Sequence, residues 1–433
     1  MKLIKTQAGK SKQAEEVIAQ LERRGGTSLD TVLPAVRRII RTVRKQGDEA
    51  LERYGIKFDG LLPSDWLEVT PEETQHAWQQ LDPTLQDALR TAVESIRSFA
   101  QQQLPAAFEF SPIPGLTTGQ QVRPIASVGC YVPGGRHPLP STMLMTVIPA
   151  QVAGVPRIVV VSPRPAPETL ATAHLLGVKE FYRIGGAHAI AALAFGTESI
   201  QRVAKIVGPG NLYVTAAKRE VSSDSIQPCA IDMLAGPTEI VVTSDEGNPI
   251  HIAADLVAQA EHDPEALAIF ITTSESLARE VLAETKSQAG KNPVAKQAIA
   301  NNGYIFLASS KEEAYSITNR LAPEHLTVDS PKDLAWVQNA GSVFIGQYSP
   351  QPMGDYISGP NHTLPTGGMA RLRGGLSVND FVKLITVQQY TRKSLAELGP
   401  KAIRIAEAEG LTAHAEAIRS RMKRATPVRK EAK

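Results

Sequence analysis

Apolar residues in the first part of the chain recur every three or four positions, with polar residues between them, over 32–54 and again over 83–103. That period matches one face of a helix, so both stretches are expected to be amphipathic helices. Residues 1–26 are polar and only weakly periodic, which fits a helical arm that needs a surface to pack on. From 122 onward the pattern changes. The short β-rich runs IASVGCYV, RIVVVS, EFYRI and 205–207 alternate with helical stretches at 141–153, 168–176, 187–195 and 212–221. Alternation of this kind means a parallel sheet covered by helices. It starts again after Gly236, with TEIVVTS, ALAIFITT, YIFLAS, HLTVD and SVFIG separated by helical stretches at 249–260, 275–287, 312–321 and near Leu334.

The expected fold class is therefore α/β, with two doubly wound parallel-sheet units, a helical N-terminal arm and a C-terminal helical tail. The boundaries read as an arm at 1–27, a first unit of 28–129 plus 237–376, a second unit of 130–236, and a tail at 377–433 with helices at 395–409 and 413–423. The interval 346–375 breaks the pattern. A loop this long inside a compact domain is either functional or disordered, and this one holds Asp355, Tyr356, Asn361 and His362, which favours function.

Charge narrows the partners. Lys and Arg number 46 against 44 Asp and Glu, a net of +2, without the basic excess that phosphate backbones require. Only 419–433 is locally basic, and it reads as a solvated helix end. The two cysteines, Cys130 and Cys229, form no CxxC and no disulfide framework, which suits a reducing cytoplasm. The opening MKLIKTQAGKSK lacks the apolar core of a secretory signal. No apolar run approaches the roughly 18 residues of a membrane span. A cytoplasmic enzyme or binding protein that uses neither nucleic acid nor membrane is expected.

Three Gly-rich turns stand where strands give way to helices: the segment 129–135, Gly185-Gly186, and 207–211. Each exposes backbone N–H groups at the strand end where open parallel sheets bind ligands. None is GxGxxG, and each alone is also an ordinary turn. Gln259 and His262, at i and i+3, share a helix face. With Asp355 and His414 they form a possible metal set, although a His-Asp pair at a helix end is also a common polar cap and Gln is an uncommon zinc ligand. Glu324-His325 places a carboxylate beside an imidazole, a pair able to move protons near neutral pH, or simply a surface Glu beside a half-buried His.

The combination is more specific than its parts. CYVPGG, GGAHAIAA, VGPGN, AGPTEI, QAEHD, APEHL, GDY followed by GPNH, and EGLTAHAEA occur in one order from Gly129 into the tail. This set resembles the histidinol dehydrogenase family. The resemblance implies two successive oxidations of L-histidinol by NAD, through L-histidinaldehyde to L-histidine. It also implies one Zn²⁺ per active site and a homodimer whose sites are shared between chains. Carried over by position, the zinc ligands would be Gln259, His262, Asp355 and His414, and the catalytic pair Glu324 and His325. Substrate would meet Ser141, Thr238, His362 and Glu409 together with Gln259, His262, His325, Asp355 and His414. NAD would meet Tyr131, His188 and Asn211. The family commonly has Gln where this chain has His188, and an imidazole lacks the amide's paired donor and acceptor. A related zinc- and NAD-dependent dehydrogenase of another small polar alcohol is the alternative reading.

Overall fold

The structure, a computed structural model, describes residues 1–6, 11–24, 29–63, 67–134 and 138–422. The last glycine of the 129–135 turn, His137 and the basic end from 423 onward lie outside the described residues. Fourteen strands are used below: β1 Lys2–Lys5, β2 Phe108–Ile113, β3 Leu116–Pro124, β4 Val128–Tyr131, β5 Ile158–Val161, β6 Glu180–Tyr182, β7 Lys205–Val207, β8 Ala230–Ile231, β9 Glu239–Thr243, β10 Leu267–Thr272, β11 Gly303–Leu307, β12 His325–Val328, β13 Ser342–Ile345 and β14 Val382–Tyr390.

Two parallel sheets carry the fold. One runs β6-β5-β4-β7-β8 and the other β1-β11-β10-β9-β12-β13. Setting β1 aside, both follow the same winding: the first-formed strand sits centrally, the next two lie to one side and the last two to the other. The expected pair of doubly wound units is therefore present. Strands such as β10, LAIFIT, are buried at every position because helices cover both faces, so the run is continuously apolar instead of alternating.

The elements outside the sheets differ from the sequence reading in three ways. First, the N-terminal arm is not wholly helical. Lys2–Lys5 is a strand lying parallel to β11, with Lys2 opposite Tyr304. The helix Ser11–Glu22 then puts Ile18 and Leu21 into the core made by Val241, Ile269, Phe306, Leu321 and Leu326. The arm's weak apolar stripe thus finds its surface on this chain's own second sheet.

Second, the helical lead-in belongs with the 130–236 sheet and not with residues 237–376. Leu33, Val36, Ile39, Ile40, Val43 and Leu51 of the helix Leu33–Tyr54 share one core with Val159, Val161, Ile190, Leu193 and Ile206. Chain order had joined the lead-in to the wrong sheet; the packing of its apolar stripe decides the matter.

Third, the chain divides into two compact units, 1–104 with 125–381, and 105–124 with 382–433. The second unit holds an antiparallel sheet, β14-β3-β2, followed by the helices Arg392–Ala408 and Thr412–Met422. The tail is thus strand and helix. β14 is exposed along nearly its whole length, so it lacks the inside-outside alternation that announces a strand.

Candidate active site

The amino ends of β9 and β12 lie side by side, since His325 pairs with Ile240 in a parallel register. That register brings Thr238 and Glu239, which open β9, against Glu324 and His325, which open β12. Glu324 is nearly buried. One of its oxygens accepts the Thr238 hydroxyl at 2.6 Å and the Glu239 N–H at 2.8 Å. His325, 3% exposed, has Nδ1 at 3.2 Å from the Glu239 carbonyl and 3.6 Å from Glu324. A carbonyl can only accept, so Nδ1 carries hydrogen and Nε2 is left for chemistry. Nε2 lies 3.7 Å from the Asp355 carboxylate. The Phe344 ring packs 6.0 Å away and closes one side. Burial disfavours the imidazolium, but Glu324 and Asp355 on either side outweigh it and push the His325 pKa up to about 10.

The long loop supplies the opposite wall. Asp355, in the short helix Pro352–Tyr356, accepts a hydrogen bond from the fully buried Gln351 amide at 2.9 Å. His362 points Nδ1 at the Asp355 carbonyl, 2.9 Å away, and burial pushes its pKa down. Burial would raise Asp355, yet His325, then His362 and His262, hold it below the usual carboxylate range. His325, Phe344, Asp355, Asn361 and His362 line a cavity of about 390 Å³. Asn361 also donates to the Met145 carbonyl at 2.6 Å, tying the loop to the helix Pro140–Val152, in whose first turn Ser141 is buried.

Gln259 ends the same network. Its amide nitrogen donates to the Thr238 hydroxyl, and its Oε1 is buried without a hydrogen-bond partner. An orphaned amide oxygen at this depth is costly unless something outside the protein's own groups satisfies it. One turn on, His262 directs Nδ1 at the Ala258 carbonyl at 3.0 Å, leaving Nε2 free. Metal-ligating histidines are usually oriented in this way. Among the described residues, no three His, Cys, Asp or Glu side chains gather as a ready ligand cluster. Gln259, His262 and Asp355 nevertheless offer oxygen, nitrogen and oxygen donors that suit a zinc ion needing a fourth ligand. His414 and Glu409 lie in the second unit. His414 is in the helix Thr412–Met422, Glu409 closes the helix before it, and both are exposed.

The Gly-rich turns converge at the carboxyl edge of the other sheet. Tyr131, Pro133, Gly134, Gly186, His188 and Asn211 line a cavity of about 760 Å³. Gly208 is required there: its φ is +110°, and a Cβ would stand 2.2 Å from the Tyr131 carbonyl. The three predicted cofactor residues all have local partners. The Tyr131 hydroxyl accepts the Gly186 N–H, and burial pushes its pKa up to about 12. Asn211 caps the helix Leu212–Ser222 through Tyr213 and Val214 N–H. His188, 1% exposed, bonds Asp59 at 2.7 Å through Nε2, and its Nδ1 is unpartnered. The anchors Asp59, Glu239 and Gln351 were missed in the sequence. Glu239 lies inside AGPTEI and had a signal; Asp59 and Gln351 had none.

The chain matches the family described as Histidinol dehydrogenase over residues 22–422. A curated histidinol dehydrogenase of Bacillus cereus is 46% identical over 421 residues, covering 95% of this chain and 97% of that protein. One from Methanothermobacter thermautotrophicus is 43% identical over 419 residues, covering 94% and 97%. Among solved structures, the crystal structure of histidinol dehydrogenase from Elizabethkingia anophelis matches with a TM-score of 0.91 at 35% identity over 98% of both chains. Sequence likeness sustained over this length and the same fold throughout lead to one conclusion: the chain belongs to the histidinol dehydrogenase family.

Proposed function

We propose that this protein catalyses the NAD-dependent four-electron oxidation of L-histidinol to L-histidine through L-histidinaldehyde, the last step of histidine biosynthesis, as a homodimer with one Zn²⁺ per active site. The observation that carries the reading is His325, oriented through Nδ1 and set between two carboxylates in a lined cavity. An alcohol releases its carbinol hydrogen with the electron pair only if its hydroxyl proton is taken, and His325 Nε2 is the group placed to take it. Glu324, anchored by Thr238 and Glu239, can relieve His325 of that proton, and it can activate the water that must hydrate the aldehyde before the second oxidation.

Gln259, His262 and Asp355 would hold the metal, with His414 as fourth ligand, and Ser141, Thr238, His362 and Glu409 would contact substrate. Zn²⁺, when bound, supplies a template for the substrate's amino and imidazole nitrogens, and NAD, held by Tyr131, His188 and Asn211, accepts the hydride. With a cation held on Asp355, one of the two carboxylates that keep the proton on His325 would be neutralised, the His325 pKa would fall, and more of the imidazole would be free to accept a proton near neutral pH. Exposed Phe108, Phe110, Leu384 and Tyr390 share one face of the sheet in the second unit, and Ile385 and Val387 are exposed on the other; apolar side chains left open in this number support a second copy as partner.

Absorbance at 340 nm tests the reading. Purified enzyme with histidinol and NAD⁺ is expected to yield two NADH per histidinol and one histidine. A single equivalent, with aldehyde accumulating, or no absorbance change with histidinol, removes it.

A further inference from the structure

Arg24 follows the N-terminal helix Ser11–Glu22, far in sequence from every candidate site residue. Its guanidinium is 13% exposed and grips the 4%-exposed Glu239 carboxylate with two hydrogen bonds, Nε at 2.8 Å and Nη2 at 2.7 Å. The same group donates to the Leu21 carbonyl at 2.7 Å and the Leu321 carbonyl at 2.6 Å. Taken alone, this is a buried staple between the arm and the sheet.

Two further observations give it another meaning. Glu239 is the residue to which both members of the catalytic pair are attached, Glu324 through the Glu239 N–H and His325 through the Glu239 carbonyl. Leu321 ends the helix Lys311–Leu321, and the next residue, Ala322, takes a φ of +46°, a left-handed conformation that a residue with a Cβ resists. Pro323, Glu324 and His325 follow at once. Arg24 therefore holds both ends of the frame: the start of β9, which anchors the pair, and the strained turn, which delivers it. The Gly367 N–H reaches the same Glu239 carboxylate at 2.9 Å, so the later part of the long loop is tied to this point as well.

We propose that Arg24 is a positioning residue for the oxidation. Through the Glu239 carboxylate and the Leu321 carbonyl, it fixes Glu324 and His325 in the place from which they move protons. The proposal rests on the reading of Glu324-His325 as the catalytic pair. A bidentate guanidinium suits the task because its planar fork locks direction as well as distance, which an ammonium cannot do. Displacing such a pair by about 1 Å typically costs on the order of 10²-fold in rate.

The test uses the full-length, zinc-loaded enzyme, assayed well below the melting temperature of each variant. Arg24→Met is expected to lower kcat by about 10–100-fold. KM for NAD⁺ should stay within about twofold, since the cofactor cavity belongs to the other sheet. Arg24→Lys should fall between, because it keeps the charge and loses the fork. In Arg24→Ala, methylguanidinium is expected to restore part of kcat through the cavity of about 610 Å³ that Arg24 and Glu239 line, whereas tetramethylammonium, which has charge but no N–H, should not. Wild-type kcat in folded Arg24→Met or Arg24→Ala overturns the proposal, as does a loss confined to KM for NAD⁺, or a rescue that raises the melting temperature and leaves kcat low. If neither folds, Arg24→Lys decides, and wild-type kcat there overturns it. His325→Ala is measured alongside. Full turnover in that variant sinks the catalytic reading itself; an inactive His325→Ala beside a full-rate Arg24→Met sinks only the role of Arg24.

Discussion

A proton on His325 has two carboxylates to hold it, and the two single-residue changes around it should separate its duties. His325→Ala is expected to lower both oxidations by about 10²–10⁴-fold while the fold survives. Glu324→Gln should slow aldehyde oxidation more than alcohol oxidation, because only the aldehyde step needs an activated water. Single-turnover kinetics started from histidinol and from histidinaldehyde measure the two steps apart, and equal losses would deny Glu324 the water. The metal donors are tested separately. Asp355→Ala and His262→Ala should each reduce zinc per chain by elemental analysis, and chelation should abolish turnover while the far-ultraviolet circular dichroism is unchanged. At this scale the sequence was informative where an unusual residue type stands inside a motif. Glu324, His325, Thr238, Gln259, Asp355 and His362 were all singled out, and they form one network in the fold. Arg24 and Gln351 were not, because an arginine after a polar helix and a glutamine in a loop look like solvated surface until the fold buries them.

Between residue and molecule, two helices carry charge or strain that can be measured. Asp255 lies one turn before Gln259 in the helix Pro249–Ala260, and burial pushes its pKa up to about 6, only partly offset by the Gln351 N–H. A carboxyl whose folded pKa exceeds its unfolded value destabilises the fold as pH rises from about 4 to above 6, where the charge must be carried in the folded state. Asp255→Asn should therefore raise stability by about 1 kcal/mol at pH 7.5, discounted for partial exposure, with a smaller gain at pH 4.5. Thermal melts at the two values check the sign; an equal gain at both would mean that the effect is not ionisation. In the helix Leu33–Tyr54, Gly47 breaks the run with a φ of +52°, and a Cβ there would fall 2.0 Å from the Glu198 carboxylate. Gly47→Ala should cost about 1–3 kcal/mol, read from urea midpoints at unchanged slope. Periodicity found this helix but not its break, because one glycine in an amphipathic run leaves the apolar spacing intact. It found the buried parallel strands by their continuous apolar runs and missed β2, β3 and β14, none of which is a continuous apolar run.

The molecule as a whole is expected to act in pairs. With His414 and Glu409 donated to the partner's site, as the resemblance implies, a dimer made of one His325→Ala chain and one His414→Ala chain has one site with both lesions and one intact site. Random reassociation makes about half the dimers mixed, so roughly a quarter of wild-type activity should return when the two inactive proteins are dissociated and mixed. No return despite demonstrated subunit exchange would keep His414 within its own chain.

The pairing of β1 with β11 has a consequence for how the chain is made. Lys2 and Tyr304 stand opposite each other across about 300 residues of sequence. At ribosomal speeds of about 5–20 residues per second, the earliest strand waits roughly 15–60 seconds for its partner to emerge. During that interval Leu3 and Ile4 form an unpaired edge that any nascent neighbour could extend. The lysines on either side, Lys2 and Lys5, make such pairing unfavourable. They act as guards during synthesis and become a strand border once the sheet closes.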